Sequence, residues 1–424
     1  MLKTIMKMDK GREKQIIWPV IAVLLCTFCF FNEAKGDEKE QDNKSPIPSQ
    51  LELIWSTNLS LERWTDQRDV TIRVYPWGKA CIADAVVTDR KAPDVPVEQK
   101  VYALGADGNE LFRKFYIDLP FVFAYGHFKA AGQNMYRWFD RYENPGPLGL
   151  RYHVWLDGSG NILWVEAQRF DERRHHPNTV TANEDGTISA FTARCDGASC
   201  QVDRLRVSEK GIDREGWKSV TVWDLPGYDR NTYQYEVVGV GDSYMMIFQR
   251  RLGHKATEGE HEYRLVRFDR NGRTISASRH LFPARHDTMA THNIAFTLSP
   301  DGSFLYFTIS GRTGAFLSID QKGKETWKTN VGLPLDLTIG PSSLRPFEDG
   351  WLLEGRVRSF VPGQPLIHNG DVALLRFSPN GKLLWHFRLK RPNEEGMKYI
   401  GTIEKHIFFS KGRSLFCYQE KHTK

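Results

Sequence analysis

Apolar and polar residues alternate along short segments of the chain, and turn residues interrupt this alternation at regular intervals. In six segments an alternating strand is followed by a polar turn that contains glycine, and then by a second strand. These segments are 100–119, 152–170, 204–225, 263–282, 314–333 and 372–390. Alternation with a period of two predicts half-buried β-strands, and Asp-Gly or Asn-Gly turns predict tight hairpins. The turn glycines recur about every 50 to 60 residues, at Gly108, Gly160, Gly211, Gly272, Gly323 and Gly381.

A second pair of alternating strands lies between consecutive hairpins. It is clearest at 178–195, 235–251, 293–311 and 342–360. Two hairpins per repeat make four strands, and four-stranded antiparallel units repeating about every fifty residues are typical of β-propeller blades. A unit of this size cannot bury its own hydrophobic face, so it requires adjacent copies.

The two ends of the chain predict how the ring closes. Residues 399–420 supply three strands after the sixth hairpin but no fourth, whereas 51–61 supply one strand without three partners. We therefore expect 51–61 to complete the last blade and to fasten the ring. The prediction is an all-β, seven-bladed β-propeller of four-stranded antiparallel blades over residues 51–420, followed by a tail at 421–424.

Three short motifs carry a family resemblance. The segments GKETW at 323–327 and GKLLW at 381–385, with SPDG at 299–302, resemble the repeats of pyrroloquinoline-quinone-like β-propellers and of other seven-bladed bacterial propellers. The resemblance covers nearly all of 51–420 and implies a fold rather than a function. Quinone-dependent dehydrogenases of this group would imply an adjacent cysteine pair. No adjacent cysteines occur in the chain, so no cofactor is predicted.

Composition supports the fold class and limits the partners. The 25 Phe, 15 Tyr, 12 Trp, 35 Gly and 20 Pro favour strands and turns. The formal net charge is +6, but residues 1–36 hold six basic and three acidic side chains, so half of the excess lies there. The remaining charges of both signs are interspersed, which gives no electrostatic argument for nucleic-acid binding.

The N-terminal segment predicts export. A cationic start, an uncharged run at 16–31 and the small residues Ala34 and Gly36 are typical of a secretory signal peptide over 1–36. An uncleaved signal anchor is the alternative, and only this anchor would attach the protein to a membrane. In both cases residues 37–50 form a disordered linker, and the body of the protein is periplasmic or extracellular.

One cysteine pair fits an oxidising compartment. Cys195 and Cys200 flank a short turn and could close a small disulfide loop, with two unpaired thiols as the alternative. Because no second cysteine pair and no histidine lie nearby, no metal site is predicted.

Groups that bind ligands or titrate are concentrated in the connections between blades. In propellers of the resembling group these connections run along one face toward the axis, where ligands usually sit. The richest segment is 285–293, where two histidines and an arginine could hold an anion, or Asp287 could orient a general base. The alternative is that these are solvated loop residues. The candidate ligand-binding residues are His127, His175, His176, Tyr228, Arg230, Arg285, His286, Asp287 and His292.

No catalytic sequence motif accompanies these residues. The chain contains no G-x-S-x-G elbow, no H-E-x-x-H and no phosphate-binding G-x-x-x-x-G-K. We therefore predict an exported, non-catalytic propeller that binds an unknown protein partner or small ligand on its loop-rich face. The alternative is an enzyme with a His- and Arg-lined central site, namely a transferase, lyase or hydrolase acting on an anionic or sugar substrate.

Overall fold

The described part of the chain consists of β-strands joined by short turns. The computed structural model of the 424-residue protein describes residues 47, 49–65, 67–115, 127–142, 148–171, 179–196, 199–213, 220–221, 233–240, 242–255, 258–283, 294–298, 303–310, 313–334, 339–359, 367–389 and 396–421. The strands lie in one compact unit that runs from Ser49 to Lys424. No helix long and apolar enough to span a bilayer occurs among the described residues.

The strands form seven antiparallel sheets, which are the blades of a β-propeller. The innermost strands are β2 (Arg68–Trp77), β6 (His127–Ala131), β10 (Thr179–Ala182), β15 (Tyr233–Val240), β19 (Ile294–Leu298), β23 (Ile339–Phe347) and β27 (Met397–Ile403). The second strands are β3 (Ala80–Asp89), β7 (Asn134–Tyr142), β11 (Ile188–Asp196), β16 (Ser243–Lys255), β20 (Phe304–Ser310), β24 (Gly350–Ser359) and β28 (His406–Lys411).

The outer half of each blade is a second hairpin. The third strands are β4 (Ala92–Leu104), β8 (Leu148–Leu156), β12 (Ser199–Ser208), β17 (Glu258–Asp269), β21 (Thr313–Ile319), β25 (Ile367–Phe377) and β29 (Ser414–Glu420). The outermost strands are β5 (Glu110–Phe115), β9 (Ile162–Asp171), β13 (Gly211–Asp213) with β14 (Val220–Thr221), β18 (Thr274–Pro283), β22 (Glu325–Gly332), β26 (Leu383–Leu389) and β1 (Leu51–Asn58). The predicted seven-bladed architecture is therefore confirmed.

Blade 3 differs from the continuous hairpin that its sequence predicted over 204–225. Its outer edge is divided between β13 and β14, which both pair with β12. The sheet of this blade consequently contains five strands.

Contacts between neighbouring innermost strands run around the ring. Such contacts join β2 to β6, β6 to β10, β10 to β15, β15 to β19, β19 to β23, and β27 to β2. Blades 6 and 7 are joined by Arg345, whose Nη1 donates a hydrogen bond of 3.4 Å to the carbonyl of Thr402.

Strand β1 closes the last blade, as its sequence predicted. It pairs antiparallel with β29, so that Leu51 lies opposite Glu420 and Asn58 lies opposite Ser414. The backbone N–H of Lys421 donates to the carbonyl of Gln50 at 2.8 Å, which extends the pairing beyond the strand. The two ends of the propeller domain therefore share one sheet.

Four of the six turn glycines fit against the outer strand of the preceding blade: Gly108, Gly160, Gly323 and Gly381. Gly108 has a φ of +80°, and a Cβ there would lie 2.6 Å from the ring of Trp55. Gly160 has a φ of +75°, and a Cβ there would lie 2.6 Å from the ring of Phe112. The regular glycine spacing thus reflects both a positive φ and the close approach of adjacent blades.

Several of these turns begin with an aspartate that accepts backbone hydrogen bonds. The Oδ1 of Asp157 accepts from the N–H groups of Ser159 and Asn161, both at 2.8 Å. The Oδ1 of Asp320 accepts from Lys322 at 2.8 Å and from Lys324 at 2.9 Å. The backbone N–H of Lys324 is the largest cause that lowers the pKa of Asp320.

Candidate functional site: an arginine-lined cleft

One of the nine predicted ligand-binding residues lies in the described part of the chain. His127 begins β6, is exposed, and stacks on Trp138 with ring centroids 5.0 Å apart. The remaining eight lie outside the described residues, so their convergence on a central mouth stays a prediction: His175, His176, Tyr228, Arg230, Arg285, His286, Asp287 and His292.

The predicted disulfide partners occupy facing positions in blade 3. Cys195 and Cys200 are directly opposite each other across β11 and β12. Cα atoms of facing residues in an antiparallel pair lie about 4.5–5.5 Å apart, within the range that a disulfide spans. The backbone register is therefore compatible with the bond, which remains a prediction.

Two other cysteines are buried free thiols in the core between blades 7 and 1. Burial raises the pKa of Cys81 to about 12. Burial, with a further contribution from Cys81, raises the pKa of Cys417 to about 12. Both thiols are therefore unreactive at neutral pH.

A polar cleft lies between blades 3 and 4. It has a volume of about 600 Å³, a size typical of small-molecule sites. It is lined by the turn between β10 and β11 and by the turn between β17 and β18, which lie at the ends of the blades opposite the connecting segments. Its walls are formed by Ala182, Asn183, Glu184, Asp185, Arg204, Arg206, Gly239, Tyr244, Arg270 and Asn271.

Arg204 is half-buried on β12 at the centre of this wall. Its Nε donates to the hydroxyl of Ser189 at 3.0 Å, and its Nη1 donates to the carbonyl of Arg270 at 3.2 Å. Its guanidinium lies 4.9 Å from the ring centre of Tyr244, a cation–π contact. These three contacts fix the orientation of the guanidinium.

Three positive charges lie close together in the cleft. Burial lowers the pKa of Arg204, Tyr244 opposes this effect, and the charges of Arg206 and Arg270 lower the pKa further. The guanidinium of Arg204 is therefore repelled by those of Arg206 and Arg270, while Asp185 pairs with Arg206 and Asp242 pairs with Arg270. A bound anion would relieve this repulsion, because each guanidinium can donate charge-assisted hydrogen bonds to it.

A hydrogen-bond network holds the phenol of Tyr244 at the cleft. The carboxamide of Asn183 accepts from the Tyr244 hydroxyl at 2.9 Å and donates to Thr187 at 2.8 Å and to Ser189 at 3.0 Å. Tyr244 is buried except for a small fraction of its surface. The wall is thus built from mutually bonded polar side chains rather than from mobile surface groups.

Two carboxylates line the same cleft. Asp185 forms an ion pair with Arg206. Burial raises the pKa of Asp185, but hydrogen bonds from Thr187 and the charge of Arg206 outweigh this effect, so the net shift is downward. Asp185 is therefore ionised at neutral pH, and Glu184 adds an exposed carboxylate beside it.

A second cavity of about 500 Å³ lies between blades 2 and 3 and shares Asp185 and Arg206 with the cleft. Its other walls include the buried Trp155 and the exposed Lys210. The two cavities are therefore neighbours on the same face.

This cleft was not predicted from the sequence, because its residues lie on strands and turns within the blades and not in the connections between blades. Arg204 and Arg206 are separated by one residue in the segment RLRVSEK, so they lie on the same face of one strand. This spacing of the two arginines was the feature of the sequence that could have indicated the cleft. Their meeting with Arg270 depends on the packing of blade 3 against blade 4, which the sequence does not reveal.

No group of three or more histidine, cysteine or acidic side chains arranged for a metal ion occurs among the described residues. The described residues thus offer hydrogen-bond donors and carboxylates, and these groups suit anion binding and proton transfer.

Comparison with solved structures finds weakly similar chains in other proteins. The cobalt-substituted apocarotenoid oxygenase of Synechocystis has a TM-score of 0.41 and 10% identity, with 76% of this chain and 72% of that chain covered. A chimera of that oxygenase and RPE65 has a TM-score of 0.38, with the same identity and coverage. A eukaryotic initiation factor has a TM-score of 0.29 and 12% identity, with 77% and 91% covered. No protein-family model matches the chain, and no curated protein matches it in sequence.

One prediction is corrected by this comparison. The expected non-catalytic binding protein is contradicted, because the oxygenases among the similar structures are enzymes. The alternative prediction, an enzyme, is retained. At 10% identity the likeness concerns the fold, and no residue, cofactor or substrate is carried over from the oxygenases.

Proposed function

We propose that the protein is an enzyme that acts on an anionic substrate and holds the negative group of that substrate in the arginine-lined cleft. The observation that carries the proposal is the position of Arg204, Arg206 and Arg270 around one cavity of about 600 Å³. Planar guanidinium groups bind carboxylate, sulfate and phosphate oxygens with two parallel hydrogen bonds. The repulsion of Arg204 by Arg206 and Arg270 favours binding of such a group.

The carboxylates of the cleft supply the acceptors for proton transfer. Glu184 and Asp185 lie beside the arginines in the turn between β10 and β11. A carboxylate within reach of a bound substrate can accept a proton from an attacking water. Asp185 is held by Arg206, whereas Glu184 is exposed beside the cleft, so Glu184 is the better placed of the two to act as a general base.

The wider assignment has two further parts. The motifs at 323–327 and 381–385 support a relationship to pyrroloquinoline-quinone-like propellers. The segment 1–36 supports export, so the enzyme would act in the periplasm or outside the cell.

Binding of an anionic sugar tests the cleft. We expect glucuronate, and not the neutral glucose, to raise the melting temperature of the protein. Arg204→Gln should weaken glucuronate binding about tenfold to a hundredfold, because a hydrogen bond to a charged group contributes about 1.5–3 kcal/mol. Calorimetric titration of both variants measures this difference.

Arg90→Gln is the matched control. Arg90 is exposed and pairs with Asp69 in blade 1, away from the cleft, so its replacement should leave glucuronate binding unchanged. Equal binding of glucuronate and glucose, or full binding by the Arg204→Gln protein, would contradict the site.

Measurement of turnover tests the proposed catalysis separately from anion binding. The wild-type protein should hydrolyse at least one of three 4-nitrophenyl compounds, namely the phosphate, the sulfate or the β-glucuronide. Glu184→Gln should lower kcat more than it raises KM, since the amide cannot accept the proton. Tight anion binding without turnover of any of the three compounds would argue against catalysis and leave the binding site intact.

A further inference from the structure

Five aromatic rings cross blade 2 from its innermost to its outermost strand. Residues two apart on a strand share a face, and directly opposed residues on adjacent strands are neighbours on that face. His127 faces Trp138, Tyr136 faces Trp155, and Trp155 faces Trp164. The aromatic stack defined by these pairs runs His127, Trp138, Tyr136, Trp155 and Trp164.

Each ring of the aromatic stack contacts the next. Ring centroids are 5.0 Å apart from His127 to Trp138 and 5.5 Å apart from Trp138 to Tyr136. They are 6.3 Å apart from Tyr136 to Trp155 and again from Trp155 to Trp164. All four distances fall within the range of interacting aromatic pairs. No aliphatic side chain interrupts the series.

The two ends of the aromatic stack are accessible, whereas its middle is buried. Tyr136 and Trp155 are 0% and 1% exposed. His127 is exposed at the start of β6, and Trp164 is partly exposed on the outer strand β9. The stack therefore connects two solvent-facing surfaces through the protein interior.

Tyr136 has a proton acceptor inside the blade. Its hydroxyl lies 2.6 Å from Nδ1 of His153, a residue that is completely buried. With the imidazole hydrogen on Nε2, the phenol donates this hydrogen bond. A phenol is oxidised readily when its proton leaves together with the electron, and this geometry suits that transfer.

Packing alone does not require these residue types. At the same distance from the start of the second strand, the other blades have buried side chains of several kinds: Ile82, Ala190, Met245, Tyr306, Leu352 and Phe408. Burial of a phenol and an imidazole costs hydration that the aliphatic side chains do not lose. The fold therefore accepts aliphatic and aromatic side chains at this position, and the hydrogen bond between Tyr136 and His153 is not a requirement of the fold.

We propose that the aromatic stack is a path for one-electron transfer and that Tyr136 is the residue on which the radical forms. A one-electron oxidant at the outer surface, of the class of high-potential metal complexes, removes an electron from Trp164 and is itself reduced by one electron. An electron then passes from Tyr136 through Trp155 to Trp164, while the phenolic proton moves to Nδ1 of His153. The products are a neutral tyrosyl radical, an imidazolium and the reduced oxidant. A one-electron reductant such as a thiolate returns the electron, and the proton moves back.

Photochemical oxidation tests the path. Flash-generated tris(bipyridine)ruthenium(III) serves as the oxidant, and electron paramagnetic resonance of frozen samples identifies the radical. The wild-type full-length protein should give a tyrosyl signal that narrows after ring-deuterated tyrosine is incorporated. Tyr136→Phe should lose most of this signal. Tyr306→Phe should retain it, because Tyr306 is equally buried in blade 5, outside the aromatic stack.

Two further variants keep the test decisive. Trp155→Phe should lower the tyrosyl yield, since phenylalanine is much harder to oxidise and interrupts the path. His153→Phe should lower it as well, because the phenolic proton loses its acceptor. A wild-type signal without tyrosyl character, or equal tyrosyl yields in wild type, Tyr136→Phe and Trp155→Phe, would overturn the proposal.

Discussion

Two separate features of the structure require glycine at position 160. Its φ of +75° favours glycine, and a Cβ would collide with Phe112 of the preceding blade. Gly132 shares the positive φ, at +62°, but has open space around it. Comparison of substitutions at the two positions therefore distinguishes the effect of backbone strain from the effect of packing between blades.

We expect Gly160→Ala to destabilise the protein more than Gly132→Ala. Both changes should cost about 1 kcal/mol from the left-handed backbone conformation. Gly160→Ala should cost a further 1–3 kcal/mol, roughly, because the methyl group overpacks the contact between the blades. Urea unfolding midpoints measure the difference, and equal losses in the two variants would contradict it.

At the level of single residues, the sequence predicted the positive φ of Gly160 but not its contact with Phe112. The turn motif around Gly160 is local and can be read from adjacent letters. Its contact with Phe112 depends on how two repeats stack, which is set by side chains about fifty residues apart. The same reason explains why Arg270 was not grouped with Arg204.

Among the elements, the turn that starts at Asp320 makes the stability of the folded protein depend on pH. The hydrogen bonds from Lys324 and Lys322 lower the pKa of Asp320 from its ordinary value of 3.8. A carboxylate whose pKa is lowered on folding stabilises the protein above its unfolded pKa, and this contribution disappears as the pH falls through the folded pKa.

Asp320→Asn should therefore be less stable than wild type at pH 7, with a difference that shrinks between about pH 4 and the lower folded pKa. The asparagine oxygen still accepts the two backbone hydrogen bonds but does not titrate. Guanidinium unfolding at pH 7 and pH 3 provides the measurement. A constant difference between the two variants at both pH values would show that the charge of Asp320 plays no part.

Strand prediction succeeded wherever a short turn connected two strands. The hairpin over 314–333 appears as β21 and β22 around Gly323. The hairpin over 204–225 is less regular, because a longer segment separates its divided outer strand, β13 and β14. A longer connection weakens the local determination of register.

For the molecule as a whole, closure by the N-terminal strand is the decisive feature. Trp55 on β1 is buried against Phe408 of blade 7, with ring centroids 6.0 Å apart, and against Gly108 of blade 1. Leu59 and Leu61, just after the strand, are buried in the same core. This segment therefore holds together the joint between the last blade and the first.

Deletion of residues 51–61 should cost at least about 3–5 kcal/mol, since removal of a buried tryptophan alone has an effect of this size. Deletion of residues 37–46 removes a comparable length of chain before the strand and should change stability little. Thermal unfolding compares the two deletions with the wild type. Equal melting temperatures would contradict the closure.

The sequence determined the fold better than the site. A repeat of about fifty residues and an unpartnered first strand were enough to predict seven blades, because both are properties of pattern. The site depends on tertiary contacts: Arg204, Arg206 and Arg270 come from two blades. Eight of the nine predicted ligand residues lie in connections outside the described residues, so the central mouth stays a prediction.

The pairing of β1 with β29 also imposes an order on biosynthesis. The strand at 51–58 is made among the first parts of the domain, yet its partner at 414–420 is among the last. During that interval the nascent chain carries an unmatched edge with Leu53, Ile54 and Trp55 on it. Such an edge invites association with other chains. We therefore expect chaperones that bind nascent chains to be needed most at the first strand of the domain.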